Sequence, residues 1–149
     1  MATPSDAAIQ ALLDRAHIRD VILRYARGID RRDWALVAAC FVPGARVDYV
    51  FVPAAPIEDV IPAIRTALAR FASTMHTMAN QVIDFNGDGA DSETYAVCYH
   101  RIETPAPQLF TVGMKYFDNL VRYGDEWRIG QRRITFEWQS TAPLGESLG

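Results

Sequence analysis

Cysteine is scarce in this sequence: Cys40 and Cys98 stand far apart, with no C-x-x-C spacing. In a reducing compartment two such thiols read as small buried hydrophobes, which leaves redox chemistry without a foothold. A surplus of positive charge is also missing. Lys and Arg total 15 against 18 Asp and Glu, a net charge of −3 with a pI near 5.5. Such a chain has no excess cations to neutralise a phosphate backbone, so nucleic acid is not expected as a partner. No apolar run approaches the roughly 18 residues of a membrane span, and the opening MATPSDAA has neither the basic start nor the apolar core of a secretory signal. A cytoplasmic protein with no membrane association is expected. Repeats, low-complexity segments and Ser/Gly linkers are absent too, so 149 residues read as one domain with tails at about 1–5 and 141–149.

Half of the residues are apolar and 22% are charged, as in a globular domain. From Ser5, a candidate N-cap, the series Ile9, Leu12, Leu13, Ala16, Ile18, Val21, Ile22 and Tyr25 has helical spacing, with Gly28 as the stop. Asp30 then falls on a loop just past the helix. A second short helix is readable from Asp33 to Phe41, ended by Pro43-Gly44. Alternation over Val47, Tyr49 and Phe51 predicts a strand closed by Pro53 and Pro56. A third helix spans Ile57 to Phe71, where Pro62 is tolerable only in the first turn. From Thr74 the period becomes two, predicting strands near 74–85, 90–103, 109–123 and 126–140 in consecutive antiparallel hairpins. Three helices followed by a meander make an α+β domain whose curved sheet buries one face against the helices and can enclose a pocket.

Several chemical-looking motifs lack their context. The G-x-S-x-G match at 145–149 has no chain after it to supply a helix, an acid and a His. The segment Asp84-Phe85-Asn86-Gly87-Asp88-Gly89 copies half of a calcium loop, but its twelfth position is Tyr95 where a bidentate Glu is required; a hairpin turn explains it. His17, His76 and His100 have no metal-ligand spacing, and no Gly-rich phosphate loop is present, so neither metal nor cofactor is expected. Trp34, Trp127 and Trp138 read as core or interface packing.

Asp30, placed on a loop, is either a helix-capping or solvated residue or a functional carboxylate. His76 begins an alternating face continued by Met78, Asn80 and Val82, so its ring is expected to point inward, as a satisfied core residue or as a catalyst. His100 has the same two readings. Arg132, Ile134, Phe136 and Trp138 share a parity, which sets a guanidinium among apolar neighbours if that face is the inner one; the alternative is a snorkelling Arg132 beside an exposed Arg133.

Taken in order, Tyr25-Ala-Arg-Gly-Ile-Asp30-Arg-Arg-Asp33-Trp34, Ala45-Arg-Val-Asp-Tyr49, Met75-His76 and Gly124-Asp-Glu-Trp127-Arg-Ile resemble the SnoaL-like group of the nuclear-transport-factor-two-like superfamily. The likeness is to the branch holding scytalone dehydratase, hexachlorocyclohexane dehydrochlorinase and bile acid 7α-dehydratase. It implies a cone-shaped α+β barrel closed by helices, homodimers, and an Asp–His dyad of Asp30 and His76. It further implies substrate-contacting roles for Tyr25, Tyr49, His100 and Arg132, with Tyr116 and Phe136 in the same pocket. Ile29 and Tyr116 depart from the scytalone dehydratase pattern, which puts that substrate in doubt.

The chemistry implied is a cofactor-free elimination on a small hydrophobic cyclic or polyketide-like compound. His76, with an ordinary pKa near 6.5, would remove a proton from carbon, Asp30 would fix its tautomer, and Tyr49, Tyr25 and Arg132 would donate to the developing negative charge. The same superfamily also includes ketosteroid isomerases, cyclases and non-catalytic binding or subunit proteins, so the fold leaves those readings open.

Overall fold

The computed structural model describes residues 4–50 and 52–145. Helix α1 (Asp6–Arg31) is capped by the Ser5 side chain, which accepts from the backbone N–H of Ala8. The short helix α2 (Trp34–Ala39) is capped in the same way by Asp33, and α3 covers Ile57–Leu68. The strands are β1 (Phe41–Tyr49), β2 (Val52–Pro56), β3 (Ser73–Asn86), β4 (Gly89–Ile102), β5 (Gln108–Tyr123) and β6 (Glu126–Pro143). They form one curved sheet in the order β2-β1-β6-β5-β4-β3, in which β1 and β6 run parallel and every other pair antiparallel. The sheet stays open, with β2 and β3 as its edges, so it is a cone cut along one side and not a closed barrel.

The α1 face that packs inward is Ile18, Val21, Ile22, Tyr25 and Ile29; Ile9, Leu12 and Leu13, expected on it, are exposed. Asp14 marks where the helix meets the sheet. Its carboxylate accepts from Trp127 Nε1 at 3.1 Å and from Arg122, and these bonds outweigh the effect of burial and hold its pKa below the usual carboxylate value.

Gly28 does not end α1. A Cβ there would lie 2.8 Å from Val37 Cγ2, so this glycine lets α2 approach closely. The turn out of the helix comes at Arg32, with φ 57, which donates its backbone N–H to the Gly28 and Ile29 carbonyls. Asp30 consequently sits in the last helical turn, not on a loop. Pro43-Gly44 belongs to β1, where an irregular register and a Gly44 φ of 72 absorb both residues. Pro53 and Pro56 lie in the edge strand β2, a position that tolerates a missing donor. Pro62 sits in the second turn of α3, beyond the first turn expected for it.

The calcium-like segment is the β3–β4 hairpin, turning at Gly87-Asp88. The end of β6 takes in residues 141–143 of the expected tail. Beyond Gly145 the G-x-S-x-G match lies outside the described residues, as does Phe51 of the predicted strand. Among the described residues no helix is long and apolar enough to cross a membrane.

Bulges redirect side chains in β3 and β6. One extra residue in β3 between Met78 and Gln81 puts Thr74, His76 and Met78 on the inner face but turns Val82 outward, where it is exposed, and brings Ile83 in. In β6 the extra residue is Glu137: Phe136 pairs with inward Met114, while Trp138 pairs with Gly113 on the outer face. The Trp138 ring lies over Gly113, 2.3 Å from where a Cβ would be, so the shared parity of Phe136 and Trp138 ends at the bulge.

Candidate active site

Asp30 and His76 come from distant parts of the chain and meet where the end of α1 crosses edge strand β3. His76 Nδ1 donates to Asp30 Oδ1 at 2.6 Å, and the His76 backbone N–H donates to Oδ2 at 2.9 Å. Thr74, two residues earlier on the same strand face, donates its hydroxyl to Oδ1 at 2.9 Å. The carboxylate is thereby fixed through both oxygens, and imidazole Nδ1 is committed to Asp30, with the Cys98 sulfur as a further side-chain partner of the ring.

The electrostatics follow from this geometry. The His76 side chain is only 3% exposed, and burial alone would disfavour its charge; the Asp30 carboxylate and the Cys98 sulfur overcome burial and push its pKa up to about 9. Asp30 also lies at the negative end of the α1 dipole, which favours a cation beside it. Its own pKa falls, because the bonds from His76 and Thr74 outweigh its partial burial. His76 is therefore a cation at neutral pH, in contrast to the largely neutral ring expected from an ordinary value.

His100 is the opposite case. Its ring centroid is 5.9 Å from that of His76, edge to face. Burial and the neighbouring His76 charge lower its pKa to about 4. Nδ1 donates to the Phe110 carbonyl at 3.3 Å, which leaves Nε2 of the neutral ring as an acceptor.

His76 and His100 line a cavity of about 460 Å³ together with Tyr49 and Phe136. Its remaining wall is largely apolar, built by Ile64, Ala67 and Leu68 of α3, by Phe71, and by Phe110, Val112 and Met114 of β5, with Thr66 and the charged Arg70 on the helix side. Phe71 stacks on Phe110 with ring centroids 6.0 Å apart and packs against His100 at 4.6 Å. Gln139 is the polar group added from β6. Among the described residues no three His, Cys, Asp or Glu side chains converge as metal ligands.

Tyr25, Tyr116 and Arg132 do not line this cavity; they form a layer behind Tyr49. Tyr25 is buried, shares a hydrogen bond with the Tyr49 hydroxyl, and meets Phe41 and Tyr116 edge-on at 5.9 and 6.0 Å. The Arg132 guanidinium stacks 4.1 Å from the Tyr25 ring centroid and 4.7 Å from that of Tyr116. Asp118 holds it through two bonds, Nε to Oδ1 at 2.6 Å and Nη2 to Oδ2 at 2.9 Å, with both side chains sealed from solvent. Burial opposes the Arg132 charge and Asp118 overrides it, raising its pKa. The expectation of a substrate-facing Arg132 overlooked this partner, which stands directly opposite it in the β5–β6 register. All three tyrosines have raised pKa values from burial and are neutral hydroxyls at physiological pH.

Sequence reasoning also missed Thr74, Phe71, Phe110 and Gln139. Thr74 had a signal, since it precedes His76 by one alternation; the two phenylalanines come together only through tertiary packing.

Comparison with known proteins matches the SnoaL-like domain to residues 10–133. A Mycobacterium tuberculosis protein of uncharacterised function is 27% identical over 131 residues, covering 84% of this chain and 86% of that one. Among solved structures, a protein provisionally assigned as a scytalone dehydratase from Novosphingobium aromaticivorans superposes with a TM-score of 0.79 at 21% identity, covering 92% of this chain and 97% of its own. A hexachlorocyclohexane dehydrochlorinase from Novosphingobium barchaimii reaches 0.82 at 14% identity, covering 95% and 98%. At these identities the structural matches speak for the fold. With the domain match running through all three helices and most of the sheet, the chain belongs to the SnoaL-like family.

Proposed function

We propose that this chain is a cofactor-independent lyase that eliminates water, or a comparable leaving group, from a small hydrophobic cyclic compound carrying a carbonyl. The observation that carries this reading is the 2.6 Å bond from His76 Nδ1 to Asp30 inside a largely apolar cavity. A buried base with its orienting carboxylate suits proton removal from carbon. The dehydratase and dehydrochlorinase names among the structural neighbours agree with an elimination.

In the proposed reaction neutral His76 takes the proton on the carbon next to the carbonyl through Nε2. The C–H electron pair moves toward the carbonyl, and the negative charge gathering on its oxygen is met by the Tyr49 hydroxyl, which turns its proton from Tyr25 toward the substrate. Collapse of that charge forms the C=C bond and expels the hydroxyl, which leaves as water with the proton returned by the His76 imidazolium. Asp30 steadies that imidazolium and makes His76 a stronger base than a free imidazole. The counterpart is population: with a pKa of about 9, roughly one ring in a hundred is neutral at pH 7.

Turnover should therefore rise about tenfold per pH unit and level off near 9. The test is kcat/KM for a cyclic β-hydroxy ketone from pH 6 to 10, with His76→Gln as the control. A rate that peaks below 7, or a His76→Gln variant of undiminished activity, would remove His76 as the base.

A further inference from the structure

The Asp30 carboxylate has a second layer of partners that neither the sequence motifs nor the cavity wall reveals. Arg32, the residue that turns the chain out of α1, donates from Nη1 to Thr74 Oγ1 at 2.8 Å, and Thr74 in turn donates to Asp30 Oδ1 at 2.9 Å. The same Nη1 donates to the Ile29 carbonyl at 2.7 Å, which anchors the guanidinium to the end of the helix. The groups thus form one directed chain, Arg32 to Thr74 to Asp30, with His76 donating to the same carboxylate oxygen from the other side.

Arg32 holds this place in an unfavourable backbone conformation. Its φ of 57 makes it the one positive-φ residue other than glycine among the described residues. Glycine is the ordinary choice at such a helix end, because a Cβ is strained there. Glycine would relieve the backbone strain, but it supplies neither the cation nor the donors that Arg32 gives to the Ile29 carbonyl and to Thr74.

We infer that Arg32 is a positioning residue for the proposed reaction, acting through Thr74 to fix the Asp30 carboxylate and to moderate how strongly it holds a proton on His76. The inference rests on the reading of His76 as the base. The physical sense is definite. A guanidinium near the pair, and a hydroxyl polarised by it, draw negative charge away from Asp30, so His76 gives up its proton more readily than it would beside Asp30 alone. The groups around His76 are Asp30 from α1, Cys98 and His100 from β4, and, on the wall of the same cavity, Tyr49 from β1 and Arg70 just after α3, with Arg32 behind Thr74. The field of Arg32 also reaches His100, where it opposes protonation.

The test compares Arg32→Gly, Arg32→Lys and Thr74→Val by NMR titration of the His76 ring, which needs no substrate. Arg32→Gly removes both cation and strain, so the fold should persist while the His76 pKa rises by about half a unit or more. Arg32→Lys, which keeps the charge, should shift it less. In turnover, Arg32→Gly should lose about three- to tenfold in kcat/KM at pH 7 and recover it above pH 9, a pattern that simple loss of stability does not produce. An unmoved His76 titration in folded Arg32→Gly overturns the inference. Should that variant fail to fold, Thr74→Val decides: an upward shift supports the relay and an unchanged value refutes it. If the shifts appear but no elimination substrate is ever turned over, the relay stands and the catalytic reading is what fails.

Discussion

Replacing Asp30 with Asn isolates the interaction on which the site depends. Asn has nearly the same shape but carries no charge, and its single carbonyl oxygen can replace either Oδ1, the acceptor for Thr74 and His76 Nδ1, or Oδ2, the acceptor for the His76 backbone N–H, with its NH2 at the other place. Burial of the His76 side chain is then opposed only by the Cys98 sulfur, so its pKa should fall well below about 9. The span from 6.5 to about 9 corresponds to an upper bound of about 3 kcal/mol. Because the folded value lies above the unfolded one, this stabilisation is complete below about pH 6.5 and fades as the pH rises through 9. At the acid end it is lost when Asp30, whose folded pKa is depressed, takes up a proton. Urea unfolding of the wild type and Asp30→Asn between pH 5 and 10 should therefore show a gap that is widest near pH 5 to 6.5 and narrows toward pH 10. An Asp30→Asn protein whose His76 still titrates near 9, or whose stability deficit does not change with pH, would refute the reasoning.

Other consequences are separable from this one. Asp118→Asn leaves the Arg132 charge sealed without its counter-ion and should cost about 3–5 kcal/mol in chemical denaturation; a loss under about 1 kcal/mol would mean that the pair is not buried as described. Gly28→Ala forces a methyl against Val37 and should lower stability by about 1–3 kcal/mol, with circular dichroism showing the helices retained.

The elements were legible in the sequence where turn chemistry and periodicity agree. Asn-Gly-Asp-Gly and Tyr-Gly-Asp mark hairpins, and the strands they separate fall within a few residues of those expected. Asp30 and His76 could be singled out because their order and surroundings resemble a known family. Single-residue insertions inside strands were not legible. Alternation in the sequence carries Val82 with His76 and Trp138 with Phe136, whereas a bulge between each pair turns one partner outward. Partners supplied by register were hidden as well: Asp118 stands opposite Arg132 only once β5 and β6 pair, and that contact converts an apparent substrate donor into a buried ion pair. Gly28 looked like a helix stop because a packing glycine and a terminating glycine are the same residue. The difference lies in Val37, which reaches it from another helix.

The most direct test of the central claim is mass spectrometry of cyclic β-hydroxy ketones incubated in deuterated water with the wild type and with His76→Gln. The account predicts that the wild type forms the dehydrated enone and exchanges the hydrogen next to the carbonyl, while folded His76→Gln does neither. Binding of such compounds by the wild type with neither exchange nor loss of water would contradict it.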